Sequence, residues 1–260
     1  MSMILLTFNV NGIRSAIKHG LVTYLKKVNP DVVCFQEIKA DGEILSNLEI
    51  YFKNIGYNVF WNPAHKKGYS GTAILTKIKP LKIDNSIGHH IDTEGRTIIA
   101  EFLNAFIING YFPFSRGDLS RLDLKSSYNE ILFNTIIDMN FVKPVILCGD
   151  LNVAKDWRDV YKEARKPTRA GYTEIERKLF NDFLNEGFID VFRMYNNEPE
   201  HYTWYSYHKD SRKMKRGWRI DYVIISNELK DKFVSCSIMK NVTISDHVPL
   251  LVKFANFNLA

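Results

Sequence analysis

The sequence predicts a layered α/β sandwich with mixed sheets. Short β-rich apolar runs recur from one end of the 260 residues to the other, and helical patterns interrupt them. No internal repeat, low-complexity tract or Pro/Gly/Ser linker divides the chain, so one domain over residues 1–260 is the simplest organisation.

The runs that read as strands are MILLTFNV, DVVCFQE, YNVFWN, GTAILTK, TIIAEF, AFIINGYF, PVILCGD, YVIIS and VPLLVKF. They are rich in β-branched and aromatic residues, with turn-formers at their borders. Between them, spacing predicts helices over 15–28, 42–55, 118–140 and 173–186. The third carries leucines, isoleucines and phenylalanine at helical spacing, and Ser120 followed three residues later by Asp123 reads as its cap.

Composition narrows the class. Hydrophobic residues make up 45% of the chain, enough for a sizeable core, yet no run is long enough to span a bilayer. The start, MSMILLTFNVNG, lacks the basic opening, long apolar stretch and cleavage site of a secretory leader. Cys34, Cys148 and Cys236 are odd in number and far apart, so they read as reduced core residues, not disulfides or zinc ligands. A cytoplasmic protein is expected. The net charge of +6 fits a polyanion partner, and equally a basic soluble protein with none.

Several strands share one ending. MILLTF runs into Asn9 and Asn11, DVVCFQ into Glu37, AFIING into Tyr111, and PVILCG into Asp150 and Asn152. Two late strands reverse the order: Asp221 opens YVIIS, and Asp246 with His247 precedes VPLLVKF. If these polar groups meet at one sheet edge, the late strands must run antiparallel to the early ones. Asp150 and Asn152, two apart on an extended strand, would share a face. Such oxygen-rich groups suit a hard divalent cation plus a phosphate ester, and a histidine beside an acid suits a phosphate oxygen. An Asp or Asn after a strand is ordinarily a turn-former or helix cap, and a lone loop histidine is ordinarily just solvated. Six such strand ends in one chain weaken that plain account.

The segments TFNVNGIRS (7–15), FQEIKA (35–40), GYSGTAILTK (68–77), NGYFP (109–113), GDLN (149–152), GWRIDYVIIS (217–226) and SDH (245–247) resemble exonuclease III-type apurinic/apyrimidinic (AP) endonucleases. These belong to the endonuclease/exonuclease/phosphatase superfamily. The resemblance covers nearly the whole chain; NGYFP and GWRIDY point to the DNA-repair branch, whereas GD-x-N and SDH are shared with distant members. The family motif begins at Thr7, so no N-terminal extension is expected.

The resemblance implies a four-layer α/β sandwich of the pancreatic deoxyribonuclease type, with two mixed sheets flanked by helices. It implies Mg2+-dependent hydrolysis, with Mn2+ as a substitute, of the phosphodiester 5′ to an abasic site in double-stranded DNA. The products would be a 3′-hydroxyl and a 5′-deoxyribose phosphate, with 3′–5′ exonuclease and 3′-phosphodiesterase activities alongside. By motif, Glu37 is the principal metal ligand, with Asn9, Asp150, Asn152, Asp246 and His247 in or near the metal shell. The resemblance makes Asp150 the general base, Asn152 the group that orients the attacking water or donates to the pentacovalent transition state, and His247, backed by Asp221, a phosphate contact with Tyr111 on the other side. Metal-bound water, Asp150 and Tyr111 are all candidates for protonating the leaving oxygen. Nearby carboxylates would raise the proton affinity of Asp150 and a metal would lower it. Two positions depart from the family pattern. Asn11 stands where animal relatives carry an aspartate, leaving the number of metals open, and the aromatic trio after the YT of HYTW reads Trp204, Tyr205, Ser206.

Trp204, Trp218 and Ile220 match the family's apolar pocket for a flipped-out abasic sugar, in which a small cavity excludes a normal nucleotide. The plain alternative is that both tryptophans are core, but the flanking Arg216 and Arg219 argue against simple burial. Basic stretches at 161–172 and 208–219, with Lys166 and Arg169 in the first, would contact phosphates, as would Arg116 and Arg121; such runs are otherwise solvated loops. A compact monomeric catalyst is expected. Two other functions compete. A superfamily phosphatase or phosphodiesterase for another phosphate ester, such as a lipid or inositol headgroup, would need neither GWRIDY nor the basic loops. A non-catalytic DNA-binding relative should have lost one of Glu37, Asp150, Asn152, Asp221 or His247, and all five are present.

Overall fold

The computed structural model describes residues 2–87, 92–208 and 210–260, so Lys209 of the basic stretch 208–219 lies outside the described residues. The chain begins with β1 (Ser2–Asn9), α1 (Ile13–Lys18), α2 (Leu21–Val28), β2 (Val32–Gln36) and α3 (Gly42–Asn54). There follow β3 (Asn58–Asn62), β4 (Thr72–Thr76), β5 (Lys82–Asp84), β6 (Thr97–Glu101) and β7 (Phe106–Tyr111). Next come α4 (Leu122–Asn140), β8 (Val145–Asp150), α5 (Glu174–Asn185), β9 (Phe188–Asp190) and α6 (Val191–Tyr195). The rest is β10 (Trp204–Tyr205), β11 (Gly217–Trp218), β12 (Asp221–Ser226), β13 (Phe233–Ile238) and β14 (Leu250–Ala255).

All nine apolar runs read as strands form one. The predicted helix 15–28 is instead two, because Gly20 takes the left-handed conformation (φ 96°) at no steric cost and turns the chain. The helix expected from 118 starts at Leu122, with no side-chain cap. Ser120 donates its amide to Asp118 in a turn of its own, so the Ser120–Asp123 cap does not form. The helix near 173 has the cap that 120 lacks: the Thr173 hydroxyl accepts the Glu176 amide, and the Glu176 carboxylate accepts the Thr173 amide.

Two six-stranded mixed sheets form, in the orders β13-β14-β1-β2-β4-β3 and β5-β6-β7-β8-β12-β9. Alternation along each strand feeds two cores. Leu5, Cys34 and Ile74 of the first sheet pack against Ile107, Cys148 and Val223 of the second. Their neighbours Leu6, Phe35 and Leu75 turn outward onto Ile13, Leu25 and Phe52 of α1, α2 and α3. On the far side, Ile108, Leu147 and Ile224 pack under Tyr128, Leu132 and Phe133 of α4 and Phe180 of α5. The result is helices, sheet, sheet, helices. All three cysteines are buried and free. No helix among the described residues is long and apolar enough to cross a membrane.

Topology gathers the polar strand ends. β1 is parallel to β2, and β7 to β8, so Asn9, Gln36, Tyr111 and Asp150 end their strands together in two pairs. β12 runs antiparallel to β8 with Asp221 opposite Asp150, and β14 runs antiparallel to β1 with Leu250 opposite Thr7. The late strands are therefore reversed, as the clustering of polar groups required. Below this edge, Gln36 of β2 donates to Asn109 of β7 at 2.7 Å, and Asn109 donates to the carbonyls of Phe35 and Ala73. These buried amides tie one sheet to the other. Beside them, β7 and β8 approach so closely that a Cβ on Gly149 (φ 141°) would lie 1.9 Å from the Gly110 carbonyl oxygen. Only glycine fits there.

Candidate active site

The chain turns sharply as it leaves these strands. Asn11, Glu37, Lys39 and Asn152 all have left-handed backbones (φ 44°, 52°, 49° and 51°). Such conformations are uncommon for side-chain-bearing residues, and they cluster where a site over-determines the backbone. The extended geometry proposed for Asp150 and Asn152 therefore stops at Asp150. Asn152 instead folds back, donating its amide N–H to Asp150 Oδ1 at 2.9 Å, and both residues still line one cavity.

Glu37, Asp150 and His247 each present a ligand atom within 4.8 Å of the others. Asn9, buried between the two acids, donates Nδ2 to Glu37 Oε1 and to Asp150 Oδ2, both at 2.9 Å, while its Oδ1 accepts the Asn11 amide. The sequence reading had Asn9 offering its oxygen to a metal. In the folded chain the oxygen closes the Asn11 turn, and the NH2 group spaces the two carboxylates. Asp246 lies near this cluster and lines the same cavity, with Oδ1 accepting from Asn11 and Ser245 and Oδ2 from the Trp204 indole. Asn152 Nδ2 donates to the Phe112 carbonyl.

His247 Nδ1 lies 2.9 Å from Asp221 Oδ2, which leaves Nε2 facing Asp150 Oδ2 at 3.8 Å. Burial opposes a charged ring, but the carboxylates of Asp221, Asp150 and Asp246 outweigh it and raise the pKa to about 10. Burial, then the charges of Asp221 and Glu37, push Asp150 up to about 7, against the pull of His247. Burial and the charges of Glu37 and Asp150 likewise hold the Tyr111 phenol protonated.

The acidic edge opens into a cavity of about 630 Å³ lined by Glu37, Tyr111, Asp150, Asn152, Asp246 and His247. Trp204, Trp218, Ile220, Lys166 and Arg169 line it too, with the Trp204 indole bonded to Asp246. Trp218 and Ile220 are 6% and 7% exposed, so each is both core and cavity wall. The Arg169 guanidinium lies 5.8 Å over the Trp218 ring. Asn11 sits at the rim, bonded to Asp246 and to the Tyr207 hydroxyl.

Two of the basic residues, Arg121 and Arg219, are placed differently from the sequence reading. Arg121 is bound to the Tyr69 hydroxyl and Glu94, whereas Arg116 is exposed beside Phe114 and Gly117 of the cavity lining. Arg219 is fully buried, paired with Asp159 and Asp190, so it contacts no phosphate and does not keep Trp218 at the surface. Sequence reasoning missed Lys39, which pairs with Glu37 Oε2 at 2.7 Å and donates to Asn11 Oδ1. It also missed Arg96, which lies under the Tyr111 ring at 4.7 Å and donates to the Tyr111 carbonyl. FQEIKA contained the first signal, since a lysine two residues beyond a strand-end glutamate can reach it.

A four-layer sandwich with such an edge defines a class of phosphoesterases. Residues 6–247 match the model of the endonuclease/exonuclease/phosphatase family. The chain is 41% identical over 252 residues to an exodeoxyribonuclease of Bacillus subtilis, covering 95% of this chain and 98% of that one. It is 37% identical over 255 residues to the DNA-(apurinic or apyrimidinic site) endonuclease of Dictyostelium discoideum, covering 95% and 69%. Among solved structures, an AP endonuclease from Archaeoglobus fulgidus superposes with a TM-score of 0.86 at 29% identity, covering 97% and 99%. The chain belongs to the endonuclease/exonuclease/phosphatase family, in its exonuclease III-type AP endonuclease branch.

Proposed function

We propose that this DNA-repair nuclease hydrolyses the phosphodiester 5′ to an abasic site in duplex DNA, leaving a 3′-hydroxyl and a 5′-deoxyribose phosphate. The carrying observation is the convergence of Glu37, Asp150 and His247 within 4.8 Å, beside a cavity walled by Trp204, Trp218 and Ile220. Two carboxylates and a ring nitrogen at that spacing fit a hard divalent cation, and Mg2+ is the reading, with Mn2+ as a substitute. Glu37 and Asp150 would hold it. A bound cation offsets the negative charge that grows on the phosphate oxygens.

His247 is assigned to the phosphate, where its Nε2 lies beside the two carboxylates that would hold the cation. Asp221 fixes Nδ1, so Nε2 is the proton that reaches a phosphate oxygen. Asp150, made more basic by burial and by the charges of Asp221 and Glu37 and less basic by a bound cation, takes the proton of the attacking water. Asn152 steadies that water, and the neutral Tyr111 hydroxyl, which lines the same cavity, donates to the phosphate. The walls of Trp204, Trp218 and Ile220 receive a sugar without a base, whose extrusion breaks no stacking. Lys166 and Arg169 meet the flanking phosphates. The exodeoxyribonuclease of Bacillus supports exonuclease activity at the same site, and 3′–5′ polarity and 3′-phosphodiesterase activity are proposed alongside it. The protein acts as a monomer, one catalytic unit over residues 1–260, in the cytoplasm and at the nucleoid.

The test is an end-labelled duplex carrying an abasic-site analogue, incubated with Mg2+, with Mn2+ or with EDTA, beside an inositol phosphate. Metal-dependent nicking 5′ to the analogue is expected, with no phosphate released from the inositol. Inositol turnover without nicking would instead favour the phosphatase reading, and binding without nicking would favour a non-catalytic relative.

A further inference from the structure

One buried carboxylate underlies three walls of the cavity. Glu176, on the first turn of α5, is 1% exposed and accepts five hydrogen bonds. Its Oε1 accepts from Lys125 Nζ and from Ser115 Oγ, both at 2.8 Å. Its Oε2 accepts from the amides of Gly171 and Thr173 and from the Thr173 hydroxyl. Lys125, on the first turn of α4 and fully buried, also donates to the main-chain carbonyl of Asn152 at 2.5 Å.

Each partner belongs to a segment that shapes the cavity. Ser115 lies between Phe114 and Gly117, which both line it, and Gly171 lines it directly. Asn152 is the left-handed residue that carries its side chain to the cavity beside Asp150. Gly171 also accepts the Ala154 amide through its carbonyl, which closes the loop back on the Asp150 segment.

A capping box needs one of these bonds, from the Thr173 amide, and the Thr173 hydroxyl adds a second within the same cap. The others reach beyond α5 into the catalytic edge. A buried ion pair is weak evidence of added stability, because desolvation offsets most of the attraction. A pair that fixes three loops and restrains a left-handed backbone answers a different need. We infer that Lys125 and Glu176 are positioning residues for the cleavage reaction, with Lys125 aiming the Asn152 peptide and Glu176 locking the 114–117 and 169–173 walls against it. This rests on the nuclease reading above.

The test uses the full chain with Lys125→Met and Glu176→Gln combined, which removes both charges at similar volume and leaves no lone buried ion. On the abasic-analogue duplex with Mg2+, kcat should fall about tenfold or more while KM stays within about threefold, because an interaction made in the transition state is lost. A folded double variant whose kcat lies within about twofold of the parent overturns the proposal. Should the double variant fail to fold, Ser115→Ala removes one bond to the same carboxylate oxygen and keeps the ion pair. There a fall in kcat of about threefold or more at constant KM supports the proposal, and a smaller one overturns it. The parent chain runs in parallel: no nicking by the parent rejects the nuclease reading itself, whereas nicking by parent and variant alike rejects only the positioning role.

Discussion

Asp221 and His247 are 2.9 Å apart, and the imidazole so oriented turns its free nitrogen toward Asp150 at 3.8 Å. The register of β12 on β8 produces this chain of three, because it sets Asp221 directly opposite Asp150. Replacing Asp221 by asparagine keeps the side-chain shape and removes the charge that holds the ring protonated and oriented. Asp221→Asn should lower kcat about a hundredfold or more with KM little changed. Steady-state kinetics at neutral pH on the abasic-analogue duplex measures this, and equal losses in binding and rate would assign Asp221 to substrate affinity.

Asp150 offers a sharper separation of chemistry from binding. Asp150→Asn keeps the side-chain shape and one accepting oxygen, which suffices for the Asn152 amide, while the bond from Asn9 to the other oxygen is lost. It can no longer take a proton from water. Cleavage should be nearly abolished, a loss of about a thousandfold or more, while the dissociation constant for the abasic duplex changes little. Single-turnover rates beside a gel-shift titration with the same duplex check both halves.

These predictions rest on residues that the sequence revealed for a physical reason. A strand that stops at a polar residue leaves a local mark, and topology gathers those marks, so Glu37, Tyr111, Asp150 and His247 were legible before any coordinates. The short strands β5, β9, β10 and β11 left no such mark, being two or three residues long. Nor could the roles of donors and acceptors be read. Which end of the Asn9 amide faces the acids depends on the turn at Asn11. Whether an arginine is free depends on acids distant in sequence: Glu94 for Arg121, and Asp159 and Asp190 for Arg219. Composition counts charges, but only the fold pairs them.

Lys166 and Arg169 remain in the cavity lining, where a negatively charged backbone would meet them. Lys166→Ala and Arg169→Ala should each weaken duplex binding and reduce the slope of log K against log salt by about one. Arg169 also lies over Trp218, so its removal should weaken binding to the abasic duplex more than to an intact one. Fluorescence titrations at several salt concentrations decide the matter, and an affinity indifferent to salt would remove both residues from the interface.

Arg219 should behave in the opposite way, though it too belongs to a basic stretch, the one at 208–219. Its guanidinium donates to Asp159 through Nε and Nη2 and to Asp190 through Nη1 and Nη2, and it packs 4.3 Å over the Tyr222 ring. Arg193 shares Asp159 with it. Arg219→Met would leave two buried carboxylates with Arg193 as their remaining cation, and removing one partner from a buried charge network costs about 3–5 kcal/mol. The melting temperature should drop sharply. The surviving folded fraction, assayed well below that temperature, should keep the parent's salt slope because no phosphate contact has been lost. A variant that melts like the parent but binds DNA with a shallower salt slope would return Arg219 to the DNA-facing surface.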